Sequence, residues 1–402
     1  MKMLLFFFAI QFFLAIYQVI KLHNLTKANR KTREKKLSIL RKNERLLHTA
    51  YLSVENFTKS RSLPPSLSNL PLAEKEGIVL DVKIFHFPLF TPPYNASIGI
   101  SEGRHYLFFR YDFPLFGHGF PFSISNIGSV QLDQDLNPLE KTFCKIRTNS
   151  PFSEDPRFFQ HGKENYLIYS DIHSHSKDVR GLRIGALNLK EQKLDYITPL
   201  HHQFQKVEKN WTPFSHSGKI HFVYEIGRQK ILSLSDPQKD SLESFPSLLF
   251  SSSSWSSRWG ILRGGTPALL VEKEYLSFFH SSFEDHLGII WYVMGAFTFE
   301  AFPPFKMTRI SPYPILFKGI YDTLHQPMAN PKVRSIYPAG FVLKDERDSL
   351  LVSCGENDSG IKLVTLSKDK LLASLQPADT MCNRPLYAEH DSRIGCWAAF
   401  GE

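Results

Sequence analysis

Glu154-Asp155-Pro156-Arg157 places two carboxyls, a proline-restricted backbone and a guanidinium within four positions. A carboxyl in such company can act as a general acid when its surroundings hold the proton, or as a base when a cation stands beside it. The residue before proline is steered out of the helical region, so Asp155 is expected in an extended conformation at a strand entrance, ahead of the run NYLIYSD. Taken alone, the tetrapeptide equally fits an exposed turn with a local Asp–Arg pair. Further along stand Glu208-Lys209-Asn210-Trp211-Thr212-Pro213-Phe214, Leu262-Arg263-Gly264-Gly265-Thr266-Pro267 and Phe279-His280-Ser281-Ser282. Arg263 beside two glycines can present its guanidinium and nearby backbone amides to an anion. His280 ends an aromatic strand and faces the same side in this reading. His173 and His175 in DIHSHS have no spaced carboxylate partner, so a polar loop is expected there and no metal site.

What could bring these segments together is a repeat. Five units each pair an aromatic strand with a second amphipathic strand. The first strands are RHYLFFRYD (104–112), NYLIYSD (165–171), KIHFVYEI (219–226), EYLSFFHSS (274–282) and SLLVSCGEND (349–358). The second are IGSVQLD (127–133), LRIGALNL (182–189), KILSLS (230–235), WYVMGAFTF (291–299) and IKLVTLS (361–367). Turn signals such as Ser101-Glu102-Gly103, His161-Gly162-Lys163 and Ser217-Gly218-Lys219 precede several first strands. Units of this length, each with several short strands, imply an all-β, five-bladed β-propeller. Polar side chains at equivalent points of different repeats then converge on the central funnel.

Composition agrees with strands and turns: 34 Phe and 15 Tyr accompany 25 Pro and 22 Gly among 402 residues. At 42% hydrophobic and 22% charged, the chain is neither disordered nor fibrous. The formal charge of +9 is local, because residues 21–45 hold ten Lys or Arg against Glu34 and Glu44. The rest is nearly neutral, and no nucleic-acid partner is expected.

Met3–Ile20 is an apolar run broken only by Gln11 and Gln18; as a helix it spans about 27 Å, close to the hydrocarbon thickness of a bilayer. No small-residue cleavage pattern follows it. The expected organisation is an N-terminal membrane-spanning helix (1–20), a basic helical stalk and linker (21–79, with the Ser/Pro-rich 59–72 as the linker proper) and a propeller domain (80–402). That makes a single-pass, membrane-anchored protein whose side of the membrane is left open. Cys144, Cys354, Cys382 and Cys396 lack metal or scaffold spacing and read as free thiols. Glycosylation tripeptides at Asn24, Asn56, Asn95, Asn210 and Asn357 read as coincidental, and Ser251–Ser254 as a loop.

The ordered set YNASI (94–98), FFRYD (108–112), EDPRFF (154–159), EKNWTPF (208–214), LRGGTPALL (262–270), YLSFFHSS (275–282), MGAFTFE (294–300) and YPAGFV (337–342) resembles the five-bladed propellers of glycoside hydrolase family 130. That family contains inverting β-mannoside phosphorylases and is similar to the β-1,2-mannosyltransferases of glycosyltransferase family 108. The resemblance implies a carbohydrate-active enzyme acting on β-mannosides with inversion, as a phosphorylase or a mannosyltransferase, with a glycan as partner. It implies Asp155 as the general acid, and Arg263, His280, Asn210 and Lys209 at a phosphate subsite. Asn95, Arg110, Asp112, Arg157, Glu225 and Asp358 are implied at or around the sugar. No cofactor is expected; inorganic phosphate, a mannosyl phosphate or a sugar nucleotide serves as co-substrate.

One position departs from the pattern. Glu225 stands where the phosphorylases carry a further phosphate-binding Arg, and a carboxylate there repels a phosphate. Two rival readings follow: a glycan-binding propeller without catalysis, and an inverting hydrolase whose water-activating base is Glu225 or Asp358.

Overall fold

A computed structural model describes residues 63–89, 91–117, 120–173, 176–200, 206–239, 241–244, 253–323, 332–344 and 348–378. A short helix α1 (Pro65–Ser68) precedes strand β1 (Val79–Phe85). Then come β2 (Tyr94–Ser101), β3 (Arg104–Gly117), β4 (Phe120–Gln131) and β5 (Cys144–Ile146), joined in that order as one antiparallel sheet. The second sheet is β6 (Glu154–His161), β7 (Glu164–His173), β8 (Ser176–Asn188) and β9 (Lys193–Leu200). The third is β10 (Thr212–His216), β11 (Lys219–Glu225), β12 (Lys230–Leu234) and β13 (Leu242–Ser244). Helix α2 (Ser253–Trp259) leads into β14 (Arg263–Gly264), β15 (Leu269–Val271), β16 (Glu274–Glu284), β17 (Ile290–Glu300), β18 (Met307–Ile310) and β19 (Val333–Arg334). The last segments are β20 (Ile336–Lys344), β21 (Ser349–Glu356), β22 (Gly360–Ser367), helix α3 (Lys368–Ser374) and β23 (Gln376–Pro377).

All ten strands expected from the repeat are present, and the fold is all-β and propeller-like. The expectation of five blades needs correction: the structure has four regular blades. Four sheets have the regular four-stranded form, whereas the sheet built on β16 and β17 has seven strands. Its enlargement has local causes: the Gly265–Ala268 excursion splits the inner strand into β14 and β15, β19 adds in parallel beside β17, and β23 pairs with β18.

Strands with near-continuous apolar runs are explained by burial on both faces. Along β7, Leu167 packs with Phe108 and Phe158 of one inter-sheet core, while its neighbour Ile168 packs with Trp211, Ile220 and Phe222 of the next. Along β21, Leu351 joins Ala96, Ile98 and Leu107, while Leu350 and Val352 face the opposite core. Period-2 alternation thus selects between two cores rather than between core and water.

The chain closes on itself through β1, which pairs antiparallel with β22 as the outer strand of the last sheet. Residues 63–78, read from sequence as linker and stalk, instead dock on the body: Leu67, Ala73 and Ile78 are core residues, and the Ala73 N–H donates to Leu316 O (2.8 Å). The serine run also differs from expectation, since Ser253 begins α2, whose Trp255 donates through Nε1 to Ser281 Oγ (2.8 Å). The membrane-anchored localisation is withdrawn. No helix among the described residues is long and apolar enough to cross a membrane, and Met3–Ile20 and the basic flank lie outside the described residues.

At the seam between last and first sheets, Ser353 Oγ donates to Ala96 O (2.6 Å) and accepts from the Ile98 N–H (2.9 Å). Both backbone groups are buried, so Ser353→Ala is expected to destabilise the fold by about 1–3 kcal/mol for the polar groups left unpaired. Urea unfolding of the two proteins measures this; equal midpoints would show that the seam is not held there.

Candidate active site

The candidate residues sit on irregularities of the inner strands. Pairing between β2 and β3 slips between Tyr94 and Ser97, and pairing between β6 and β7 slips between Glu154 and Arg157. Within these bulges Asn95 (φ 47°) and Asp155 (φ 53°) take left-handed backbone conformations, as does Asn210 (φ 64°) just ahead of β10. The extended conformation expected for Asp155 is therefore corrected: a bulge overrides the pre-proline preference and re-aims the side chain. It brings Asn95 and Asp155 together, with Asn95 Nδ2 donating to Asp155 Oδ1 (2.8 Å). The facing strand must be bare for this, since a Cβ on Gly355 would lie 2.0 Å from Asn95 Oδ1.

Around Asp155, which is 9% exposed, lies a charge cluster drawn from three sheets. Arg110 Nη1 stands 3.7 Å from Asp155 Oδ1, while its Nε and Nη2 donate to the two Asp112 oxygens (3.0 Å each). Tyr94 OH donates to Asp112 Oδ2 (2.7 Å). Glu154 is the hub: Arg180 Nη2 (2.6 Å), Lys209 Nζ (2.8 Å) and Arg110 Nη2 (3.3 Å) converge on its carboxylate. Burial would raise the Glu154 pKa, but Arg110, Lys209 and Arg180 outweigh it and hold the carboxyl at about 2. Burial likewise opposes the charge on Arg110, yet Glu154, Tyr94, Asp112 and Asp155 keep it firmly cationic.

Asp358, at φ 48° in the β21–β22 turn, joins the same field. Its carboxyl is pushed up to about 6, by burial first and then by Asp155, Asp112 and Glu154, against the pull of Arg110. The side chain is nevertheless exposed to solvent, so water screens part of this push. The turn is held rigidly. Buried Glu356 accepts from the Tyr321 and Thr323 N–H groups (2.5 and 2.9 Å) and pairs with Lys362 (2.8 Å). Asn357 Nδ2 donates to Tyr321 O (3.1 Å) and Thr323 O (2.7 Å).

The other half of the site is built around Arg157, which is 1% exposed and has no carboxylate partner among the described residues. Its guanidinium donates instead to Gly265 O (2.5 Å), Gly264 O (3.3 Å), Asn210 Oδ1 (3.0 Å) and Tyr337 OH. Tyr337 OH also donates to Asn210 Oδ1 (3.1 Å), and its ring lies 4.8 Å from that of His280. Arg263 is the cross-strand partner of His280 and donates to Ser282 Oγ (3.0 Å). Burial, then Arg263 and Arg157, lower the His280 pKa well below its ordinary value. Arg263 thus stands beside a neutral imidazole, whose buried Nδ1 has no hydrogen-bond partner among the described residues. Tyr337, whose phenol feels both Asp155 and Arg157, links the two halves.

Of the residues singled out in the sequence, Asp155, Asn95, Arg110, Asp112 and Asp358 fall in the first half, and Arg157, Asn210, Arg263 and His280 in the second. Lys209 lies near Asn210 in sequence but gives its charge to Glu154. Glu225 is not brought to Asp155; it ends β11, half-buried, and pairs with Arg228 (3.4 Å). Asn95 and Asn357 are buried, which bars glycosylation at both. Cys354 is a buried free thiol and Cys144 a half-buried one, while Cys382, Cys396, Asn24, Asn56 and the His173–His175 side chains lie outside the described residues.

Sequence reasoning missed Glu154 as a hub, and with it Arg180, Tyr94 and Tyr337. Tyr94 and Tyr337 had a usable signal, because each opens one of the motifs YNASI and YPAGFV. Arg180 had none, since its role depends on where β8 runs beside β7.

No protein-family model matches the chain, and no curated protein is recognisably similar to it in sequence. Solved structures do match. A β-1,2-mannobiose phosphorylase from Listeria innocua is 14% identical over 75% of this chain and 97% of its own, with a TM-score of 0.50. A mannose phosphorylase from Leishmania mexicana, solved with a phosphate ion, is 12% identical over 76% and 93%, at a TM-score of 0.51. A GDP-Man-dependent mannosyltransferase from Leishmania mexicana is 13% identical over 73% and 92%, at 0.50. The resemblance expected from the eight motifs is therefore present in the fold.

The Glu154 cluster has a pH signature. Its carboxyl is depressed in the folded state, so its stabilisation is complete above the unfolded value of about 4.5 and disappears as pH falls toward about 2. Urea melts at pH 5 and pH 2.5 are expected to show a loss on the order of 2–3 kcal/mol attributable to this group, missing in Glu154→Gln. The same acid-side loss in both proteins would contradict the depressed carboxyl.

Proposed function

We propose that the chain is an inverting, carbohydrate-active enzyme that transfers β-mannosyl units to or from a phosphate-bearing partner, with the seven-stranded sheet serving as the fifth blade. The observation that carries this reading is the placement of Asp155. It lies between a set of polar groups (Asn95, Arg110, Asp112) and a half containing Arg157, Arg263 and neutral His280.

In the phosphorolytic direction, phosphate held by Arg263, Asn210 and His280 attacks the anomeric carbon from the face opposite the aglycone. The bond from that carbon to the glycosidic oxygen breaks, and the Asp155 proton passes to the leaving oxygen, directly or through a sugar hydroxyl. Asp155 is left as a carboxylate that Asn95 Nδ2 and Arg110 stabilise, and it recovers a proton from solvent. No protein base is needed, because phosphate is already the nucleophile. In transfer from a mannosyl phosphate or sugar nucleotide to a glycan, the acceptor hydroxyl attacks the anomeric carbon and gives its proton to ionised Asp155, while the bond to the phosphoryl oxygen breaks and that oxygen departs toward Arg263. Glu225 is paired with Arg228 and half-buried, so its repulsion of phosphate is blunted.

A hydrolytic reading keeps one specific support, Asp358. It is a solvent-reached carboxyl in the field of Asp155 with a proton held to about pH 6. The readings separate in one assay: β-mannoside with phosphate, β-mannoside without phosphate, and a mannosyl nucleotide with a manno-oligosaccharide acceptor. Mannose 1-phosphate, free mannose or an extended glycan identifies the activity, and binding without any of these products identifies a glycan-binding protein.

Asp155→Asn is expected to lower kcat about 10²–10⁴-fold while leaving the melting temperature near that of the parent. Ordinary rates in that variant would remove Asp155 from the chemistry. Arg263→Met is expected to raise the KM for the phosphate-bearing substrate about tenfold or more, with a smaller change for the glycan. An unchanged phosphate KM would place the anion elsewhere.

A further inference from the structure

We infer that Arg157 is a positioning residue and not a ligand of the sugar: a strut that sets the entrances of three neighbouring inner strands and, through them, the places of Arg263 and Asn210. The inference rests on those two residues holding the phosphate of the reaction above. Arg157 is the first residue of β6 to regain regular pairing after the Asp155 bulge, and its side-chain partners among the described residues all lie in other sheets. Its Nε donates to Gly265 O (2.5 Å) and its Nη2 to Gly264 O (3.3 Å) in the seven-stranded sheet, to Asn210 Oδ1 (3.0 Å) ahead of the third sheet, and to Tyr337 OH in the last. One guanidinium thus joins four sheets.

Arg263 sits on a short ladder. β14 is two residues long, with Arg263 opposite His280 and Gly264 opposite Phe279, and the chain then leaves the pairing until Leu269. In the two peptide units that follow Gly264, the Gly265 and Thr266 N–H groups donate to Phe278 O (3.2 and 3.0 Å), while the Gly264 and Gly265 carbonyls accept from Arg157. The approach is close, since a Cβ on Gly264 would lie 2.2 Å from Asn210 O. Asn210 has a left-handed backbone, and its Oδ1 accepts from both Arg157 and Tyr337 OH (3.1 Å). A side chain 1% exposed, with Nε and Nη2 engaged by protein oxygens, is placed to hold and not to bind. Arginine suits the task because its planar fork reaches separated acceptors at once, which a single ammonium does not. Asp155 draws on Asn95 and Arg110 instead.

Arg157→Lys keeps the charge and removes the fork. In the full chain it is expected to raise the KM for the phosphate-bearing substrate about tenfold, with kcat changed less than about threefold. Hydrogen–deuterium exchange across residues 263–268 is expected to quicken about tenfold, with Leu167 and Ile168 of β7 unchanged. In the Arg263→Met background the same substitution is expected to add no more than about threefold to that KM, because one of the residues it places is already gone. Tyr337→Phe deletes one hydroxyl and keeps the ring against His280, so it reports even if Arg157→Lys fails to fold; about a threefold rise in that KM and the same local exchange are expected. An Arg157 that touches the anion itself would give effects that multiply in the double variant with exchange unchanged. A merely structural Arg157 would lower the melting temperature and leave the KM where it was. Either result overturns the inference. If Arg263→Met alone leaves the phosphate KM unchanged, the phosphate reading of the site fails instead, and the exchange rates still decide whether Arg157 holds the segment.

Discussion

A strand buried on both faces has no side to offer to water, so its chemistry must be carried where its regularity fails. That constraint governs the molecule. Leu167 and Ile168, or Leu350 and Leu351, are consecutive residues committed to different inter-sheet cores. Asn95, Asp155 and Asn210 escape because the backbone turns left-handed at each of them. The strain of such a conformation is offset by the surrounding ladders, and the side chain gains a direction that no position of a regular strand provides.

The two halves of the site handle charge in opposite ways. On the Asp155 side, carboxylates and cations are interleaved, and the arrangement is near balance. On the Arg157 side, a fully buried guanidinium is satisfied, among the described residues, by carbonyl, amide and phenol oxygens rather than by a carboxylate. Its positive charge is not cancelled there by a carboxylate, and it adds to burial and to Arg263 in keeping His280 neutral. A neutral imidazole still donates one N–H.

Rigidity comes from polar groups placed at the seams between sheets. Ser353 ties the last sheet to the first, and the Glu356–Lys362 pair with Asn357 fixes the turn that carries Asp358. A buried ion pair of this kind adds little net stability over an apolar replacement. Its contribution is to the direction in which Asp358 points, which matters only if that carboxyl meets a substrate.

Much of this was legible in the order of residues. Aromatic alternation and turn chemistry are short-range properties, so they located the ten strands of the repeat and the motifs that open the inner ones. What they could not reveal was register. Whether Asp155 lies in a regular strand or a bulge depends on how β6 pairs with β7, and the local preference of a pre-proline residue pointed the wrong way. Lys209 looked available to an anion because its sequence neighbours are polar; its actual partner, Glu154, is 55 residues away and comes from another sheet. The chain alone determined which side chains exist to do chemistry and which segments become strands. Only the closing of the sheets decided which charges cancel, because Coulomb energies depend on distances that nothing in a linear order specifies.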